Sequence, residues 1–151
     1  MSKLVAGNWK MFGDQNMLSE IKVIDQYCHK IDCEVAICPP FQLILSAHQQ
    51  TKNIKIGAQN CHINANGPHT GEVSAEMLID VGVELILVGH SERRQDNNET
   101  NKIIKQKAEA VQRAGATAVV CIGETLEDRK ADRTLQILQE QKLNCSLLYT
   151  S

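Results

Sequence analysis

Short runs of apolar and β-branched residues recur along the chain at 4–6, 34–38, 54–58, 85–88 and 117–122. Each has the length and composition of a strand buried in a sheet. Between them the apolar positions change period. Met17, Leu18, Ile21, Ile24 and Cys28 fall on one helical face, as do Ile103, Ile104, Ala108, Val111 and Ala114, a stripe that ends at Gly115. Helix starts are marked by Pro39 and Pro40 after the second strand, by Ser74 after the third, and by Thr125 with Asp128 after the fifth, the last pair in capping-box spacing. Strand and helix therefore alternate five times, which predicts an α/β fold with a parallel sheet and right-handed crossovers.

The strand starts average about 28 residues apart, close to the roughly 31 of one unit in an eight-fold barrel. Spacing alone does not separate five units of such a barrel from a complete doubly wound sheet. At this length it favours the doubly wound arrangement, which would be complete. A long polar connection at 59–73, containing Asn66-Gly67-Pro68 and Thr70-Gly71-Glu72, departs from the pattern and is expected to be functional or to lie at an interface.

The 151 residues amount to one domain, with 42% hydrophobic and 23% charged positions. A formal charge of −2 gives no electrostatic basis for gripping nucleic acid or an acidic membrane surface. The opening apolar run is too short for a signal peptide or a membrane span, so a cytoplasmic location is expected. Six cysteines without C-x-x-C or zinc-finger spacing are expected to be free and mostly buried, with no metal site. Met11, Met17 and Met77 are expected to pack in the core, and His29, His48, His62 and His69 to lie on the surface.

No dinucleotide fingerprint, phosphate-loop motif or zinc-protease motif occurs. In parallel α/β folds the chemistry collects at the carboxyl ends of the strands, which directs attention to Asn8 with Lys10, Pro39, Gln59 with Asn60, His90 with Glu92, and Gly123 with Glu124. A strand-end lysine can meet a substrate anion or a developing oxyanion, though a solvated lysine is the commoner outcome. His90 stands where a helix opens, and the positive end of the helix dipole favours a neutral imidazole there; a structural histidine fits that position equally well. Glu92, Arg93 and Arg94 read as an ion-pair cluster, with Glu72 a further partner for one arginine.

Five segments in order at successive strand ends closely resemble the triosephosphate isomerase family: Gly-Asn-Trp-Lys-Met at 7–11, Gly-Ala-Gln-Asn at 57–60, Thr-Gly-Glu at 70–72, Val-Gly-His-Ser-Glu-Arg-Arg at 88–94 and Cys-Ile-Gly-Glu-Thr at 121–125. The resemblance covers residues 2–141 and implies the first five βα units of a (β/α)8 TIM barrel, against the doubly wound arrangement that spacing favoured. It implies a cofactor-free isomerase of glycolysis and gluconeogenesis, interconverting dihydroxyacetone phosphate and glyceraldehyde 3-phosphate through an enediol. By motif, Asn8 and Lys10 resemble its substrate-binding pair, His90 its electrophile, and Ser91 and Glu92 the supporting residues, with Glu92 positioning Lys10. Thr70, Gly71 and Glu72 resemble the loop that enters a neighbouring subunit, implying a homodimer. His69 replaces an aromatic ring usual in that loop. The family's glutamate base, lid and phosphate loops have no counterpart in this sequence, and residues 142–151 resemble nothing in the family. The chain alone is therefore expected to be inactive, the alternative being a non-enzymatic truncated form that docks on full-length isomerase.

Overall fold

The computed structural model describes residues 3–145, with side chains to Lys142. Five strands, β1 (Leu4–Asn8), β2 (Glu34–Cys38), β3 (Lys55–Ala58), β4 (Leu85–Val88) and β5 (Thr117–Val120), form one parallel sheet in the order β1-β2-β3-β4-β5. Each strand pairs with its neighbour in sequence, as in Ala6 opposite Ala36 and Leu87 opposite Val119. That order has no reversal point, so the doubly wound arrangement favoured by spacing is replaced by a segment of barrel wall.

Among the described residues seven α-helices accompany the strands: α1 (Leu18–Cys28), α2 (Ile44–His48), α3 (Ala75–Asp80), α4 (Ser91–Asp96), α5 (Asn101–Ala114), α6 (Leu126–Lys130) and α7 (Thr134–Cys145). The local signals in the sequence mark several of their ends. Ser74 caps α3 by accepting from the Met77 N–H, and Thr125 and Asp128 exchange both bonds of a capping box at α6. Gly115 closes α5 at φ +93°, a conformation that costs an L-residue with a Cβ. After Pro39 and Pro40 the chain makes a short 3-10 turn at Phe41–Leu43 before α2. Helix α7 runs through position 141 without a break, while 146–151 of the expected tail lie outside the described residues.

Alternation along the strands divides the core. Ile37, Ile56, Ala58, Ile86 and Val88 face the helices and pack with Ile21, Leu43, Ile104 and Val111. Ala36, Cys38, Leu85 and Leu87 form a smaller cluster on the opposite face. Gly57 belongs to that face, where a Cβ would stand 2.6 Å from Cys38 Sγ and 2.8 Å from Leu85 Cδ1, so only glycine admits this packing.

Two expectations fail for one reason. All five strands read as buried, yet Val5 in β1 is 58% exposed and β5 is only half-buried, because each is an edge with a partner on one side. Met11, Met17 and Met77, expected in the core, are exposed, Met11 at 94%. Sequence hydrophobicity registers the wish for burial, and these positions find nothing in the described residues to cover them. Five of the six cysteines behave as expected, Cys145 lying outside the described side chains: 28, 33, 38, 61 and 121 are free thiols, and burial pushes Cys38 up to about 12 and Cys61 to about 11, which holds both as unreactive thiols.

Candidate active site

At the end of β1 the Trp9 N–H extends the ladder by donating to the Cys38 carbonyl (3.1 Å). The next residue, Lys10, turns the chain at φ +55°, in the left-handed region that a residue with a Cβ rarely occupies. Two side chains grip its peptide groups. Asn8 Oδ1 accepts from the Lys10 N–H (2.9 Å), and Gln59 Nε2 donates to the Lys10 carbonyl (2.9 Å) and to the Cys38 carbonyl (2.8 Å). The turn aims the lysine across the strand ends, and its Nζ lies 3.0 Å from Glu92 Oε1.

His90 follows β4 and serves as N-cap of α4, its Nδ1 accepting from the Glu92 N–H at 3.4 Å. Glu92 Oε2 approaches the same nitrogen at 3.3 Å. The Lys10 hydrogen bond, reinforced by the charge of Lys10, holds the Glu92 carboxyl below its ordinary 4.5. Lys10, Glu92 and His90 thus form a continuous polar chain along a concavity of ≈ 290 Å³ that Asn8 and Gln59 also line. His90 borders a second, larger concavity of ≈ 810 Å³ toward β5, where Ser91 and Glu124 stand. Its far wall includes Gln141, whose carboxamide bonds both the N–H and the carbonyl of Gly123 (2.8 and 3.0 Å).

Four of the residues singled out in the sequence, Asn8, Lys10, His90 and Glu92, therefore converge, while Ser91 is exposed at the first turn of α4. Thr70, Gly71 and Glu72 do not join them. They form an exposed tip on the 59–73 connection, closed by the Glu72 N–H donating to the His69 carbonyl (3.0 Å). His62 and His69, expected simply at the surface, are half-buried and pack against each other with ring centroids 4.1 Å apart and planes tilted by 32°. Asn64 bonds both, its backbone N–H donating to His62 Nδ1 (3.1 Å) and its side chain lying 3.0 Å from His69 Nε2.

The expected Glu92–Arg93–Arg94 cluster divides differently. Glu92 takes Lys10, whereas Arg93 pairs with Glu99 (2.6 Å), and neither arginine takes Glu72. Arg94 bonds the Gly89 carbonyl, Asn101 Oδ1 and the Cys121 carbonyl, tying the end of β4 to that of β5. Glu99 also receives Lys107 Nζ (2.6 Å), which reaches on to Asn60 Oδ1 (2.7 Å). Burial raises the Glu99 carboxyl, and the bonds from Lys107 and Arg93 outweigh it, leaving the group below its ordinary 4.5. This network beneath the site escaped the sequence reading, although a signal existed: Lys107 falls within the apolar stripe of Ile104, Ala108 and Val111, where an uncompensated charge would be untenable.

A sequential parallel sheet of five strands, with a lysine and a histidine at the carboxyl ends of β1 and β4, defines the class, a segment of the wall of a (β/α)8 barrel. The family model described as Triosephosphate isomerase matches residues 3–149. The chain is 47% identical over 139 residues to a triosephosphate isomerase of Ruegeria, covering 92% of this chain and 56% of the relative. It is 44% identical over 144 residues to that of Rhodopseudomonas palustris, covering 91% and 57%. The crystal structure of triosephosphate isomerase from Bartonella henselae superposes with a TM-score of 0.92 at 39% identity, over 96% of this chain and 62% of that one. The chain belongs to the triosephosphate isomerase family, and it spans little more than half the length of these curated relatives.

Proposed function

We propose that this chain carries the electrophilic half of a cytoplasmic triosephosphate isomerase of glycolysis and gluconeogenesis. Asn8 and Lys10 bind the triose phosphate, and His90 polarises its carbonyl. The single observation behind this reading is the Lys10–Glu92–His90 chain at the strand ends. Glu92 engages His90 Nδ1, with its N–H at 3.4 Å and its Oε2 at 3.3 Å, which leaves Nε2 as the ring nitrogen available to a substrate oxygen. Lys10 brings positive charge to the substrate, Glu92 holds the ammonium in place, and Ser91 begins the helix that His90 caps. The Thr70–Gly71–Glu72 tip is the element for a neighbouring subunit in a homodimer.

Moving a carbon-bound proton also needs a base. Neither strand-end carboxylate serves. Glu92 is paired with Lys10, and Glu124 is held below its ordinary 4.5 by its own N–H and by Arg129, whose Nε lies 2.8 Å away. The isolated chain is therefore expected to show no turnover above background in a coupled assay. The positive test is a chimaera in which residues 3–141 replace the corresponding part of the Ruegeria enzyme. It should isomerise triose phosphates, and His90→Ala should lower its kcat by about 10²- to 10⁴-fold. A well-folded chimaera without activity, or one indifferent to His90→Ala, would refute the proposal.

A further inference from the structure

We propose that Gln59 is a positioning residue for Lys10: its carboxamide holds the lysine in the left-handed turn that keeps the ammonium on Glu92. The inference rests on Lys10 being the substrate-binding cation, but its test does not depend on isomerase activity.

Three observations converge on it. Lys10 stands at φ +55°, one of three non-glycine residues with positive φ among those described, and the one at the site. A left-handed lysine relaxes toward an ordinary conformation unless neighbouring groups prevent it. On the amide side the restraint is local, from Asn8 two residues away; on the carbonyl side it comes from Gln59, 49 residues distant. The second contact of Gln59, to the Cys38 carbonyl, makes the clamp specific, because one NH₂ group bridges the ends of β1 and β2 and has a donor hydrogen for each carbonyl. Gln59 lies immediately after β3, so its own position is fixed by the sheet. Freed from the clamp, the Lys10 peptide can rotate, and the Nζ–Glu92 separation of 3.0 Å is no longer enforced.

The test is competitive acylation of lysines, read by mass spectrometry on the full chain at low concentration. Wild type, Gln59→Met and Glu92→Gln are compared. Methionine keeps the unbranched length and lacks the donors. Lys22, exposed on α1, is the internal reference, and buried Lys107 reports whether the fold is intact. In Glu92→Gln the Lys10:Lys22 labelling ratio should rise about two- to fivefold, the range an exposed ion pair supports. In Gln59→Met it should rise by the same factor with Lys107 still protected. A ratio unchanged from wild type in Gln59→Met, with Lys107 protected, would overturn the assignment and leave Gln59 a purely structural residue.

Should Lys107 lose protection in that variant, the unaltered chain decides. The ¹⁵N-labelled side-chain amide of Gln59 should exchange with solvent at least about tenfold more slowly than that of exposed Gln26, as for a group held by two carbonyls. Equal exchange rates would overturn the proposal.

Discussion

Lys10 concentrates a conflict between stability and placement. Its left-handed backbone costs roughly 1–2 kcal/mol for an L-residue, and glycine carries no such cost. Lys10→Gly is therefore expected to be more stable than Lys10→Ala, which keeps the Cβ, by about 1 kcal/mol. Urea midpoints of the two variants check this, and an equal effect would show that the turn is not strained. The buried network makes the opposite case. Removing Lys107 leaves Glu99 buried with the half-exposed Arg93 alone, so Lys107→Met should cost about 3–5 kcal/mol. Glu99 is also a determinant of acid stability. Its folded pKa lies below the unfolded one, so its contribution is complete above the ordinary 4.5 and disappears as pH falls through the lowered folded value. Urea stability measured from pH 6 down to pH 3 should fall across that window, and Glu99→Gln, already weakened at pH 6, should fall less. Asn8, Lys10, His90 and Glu92 were legible because motif and strand-end position coincide. Glu99 was not, since its role comes from two cations that only folding brings to one oxygen.

At the scale of elements, legibility follows locality. The caps at Ser74, Thr125 and Gly115 could be read because each joins residues a few positions apart. Thr125→Ala, which dismantles the capping box on a short, exposed helix, should cost about 1 kcal/mol by denaturant titration and leave the strand-end site unaltered. Strands β1 and β5 were placed correctly but assigned the wrong burial, because an edge differs from a central strand only through its neighbours. The 59–73 connection was recognisable as a long loop from its polar and turn residues. Its internal architecture, two imidazoles in contact and bridged by Asn64, was invisible because no period or spacing brings His62 onto His69. If the exposed tip docks on a second subunit, replacing Thr70 and Glu72 with alanine should weaken association by sedimentation without changing helix content. An identical dimer in both proteins would contradict the assignment.

Over the whole molecule, hydrophobic periodicity reported that strands and helices alternate and left open how the strands are ordered; the motifs at the strand ends decided between a barrel wall and a doubly wound sheet. Among the described residues the wall has two open margins, with Val5 exposed along β1 and Ile122 just beyond β5. The two margins are not alike. Every strand runs in the same direction, so the margin at β5 can receive the margin at β1 from another copy in the same parallel sense that joins each strand to the next. Contact of this kind matches two different surfaces, and each addition leaves a fresh β1 and a fresh β5 at the ends of the assembly. Growth therefore stops only if the rotation per copy closes a ring; otherwise it proceeds as a filament. The isolated chain should accordingly form a concentration-dependent series of species in light scattering, and a charge placed in the β1 margin by Val5→Lys should shorten it.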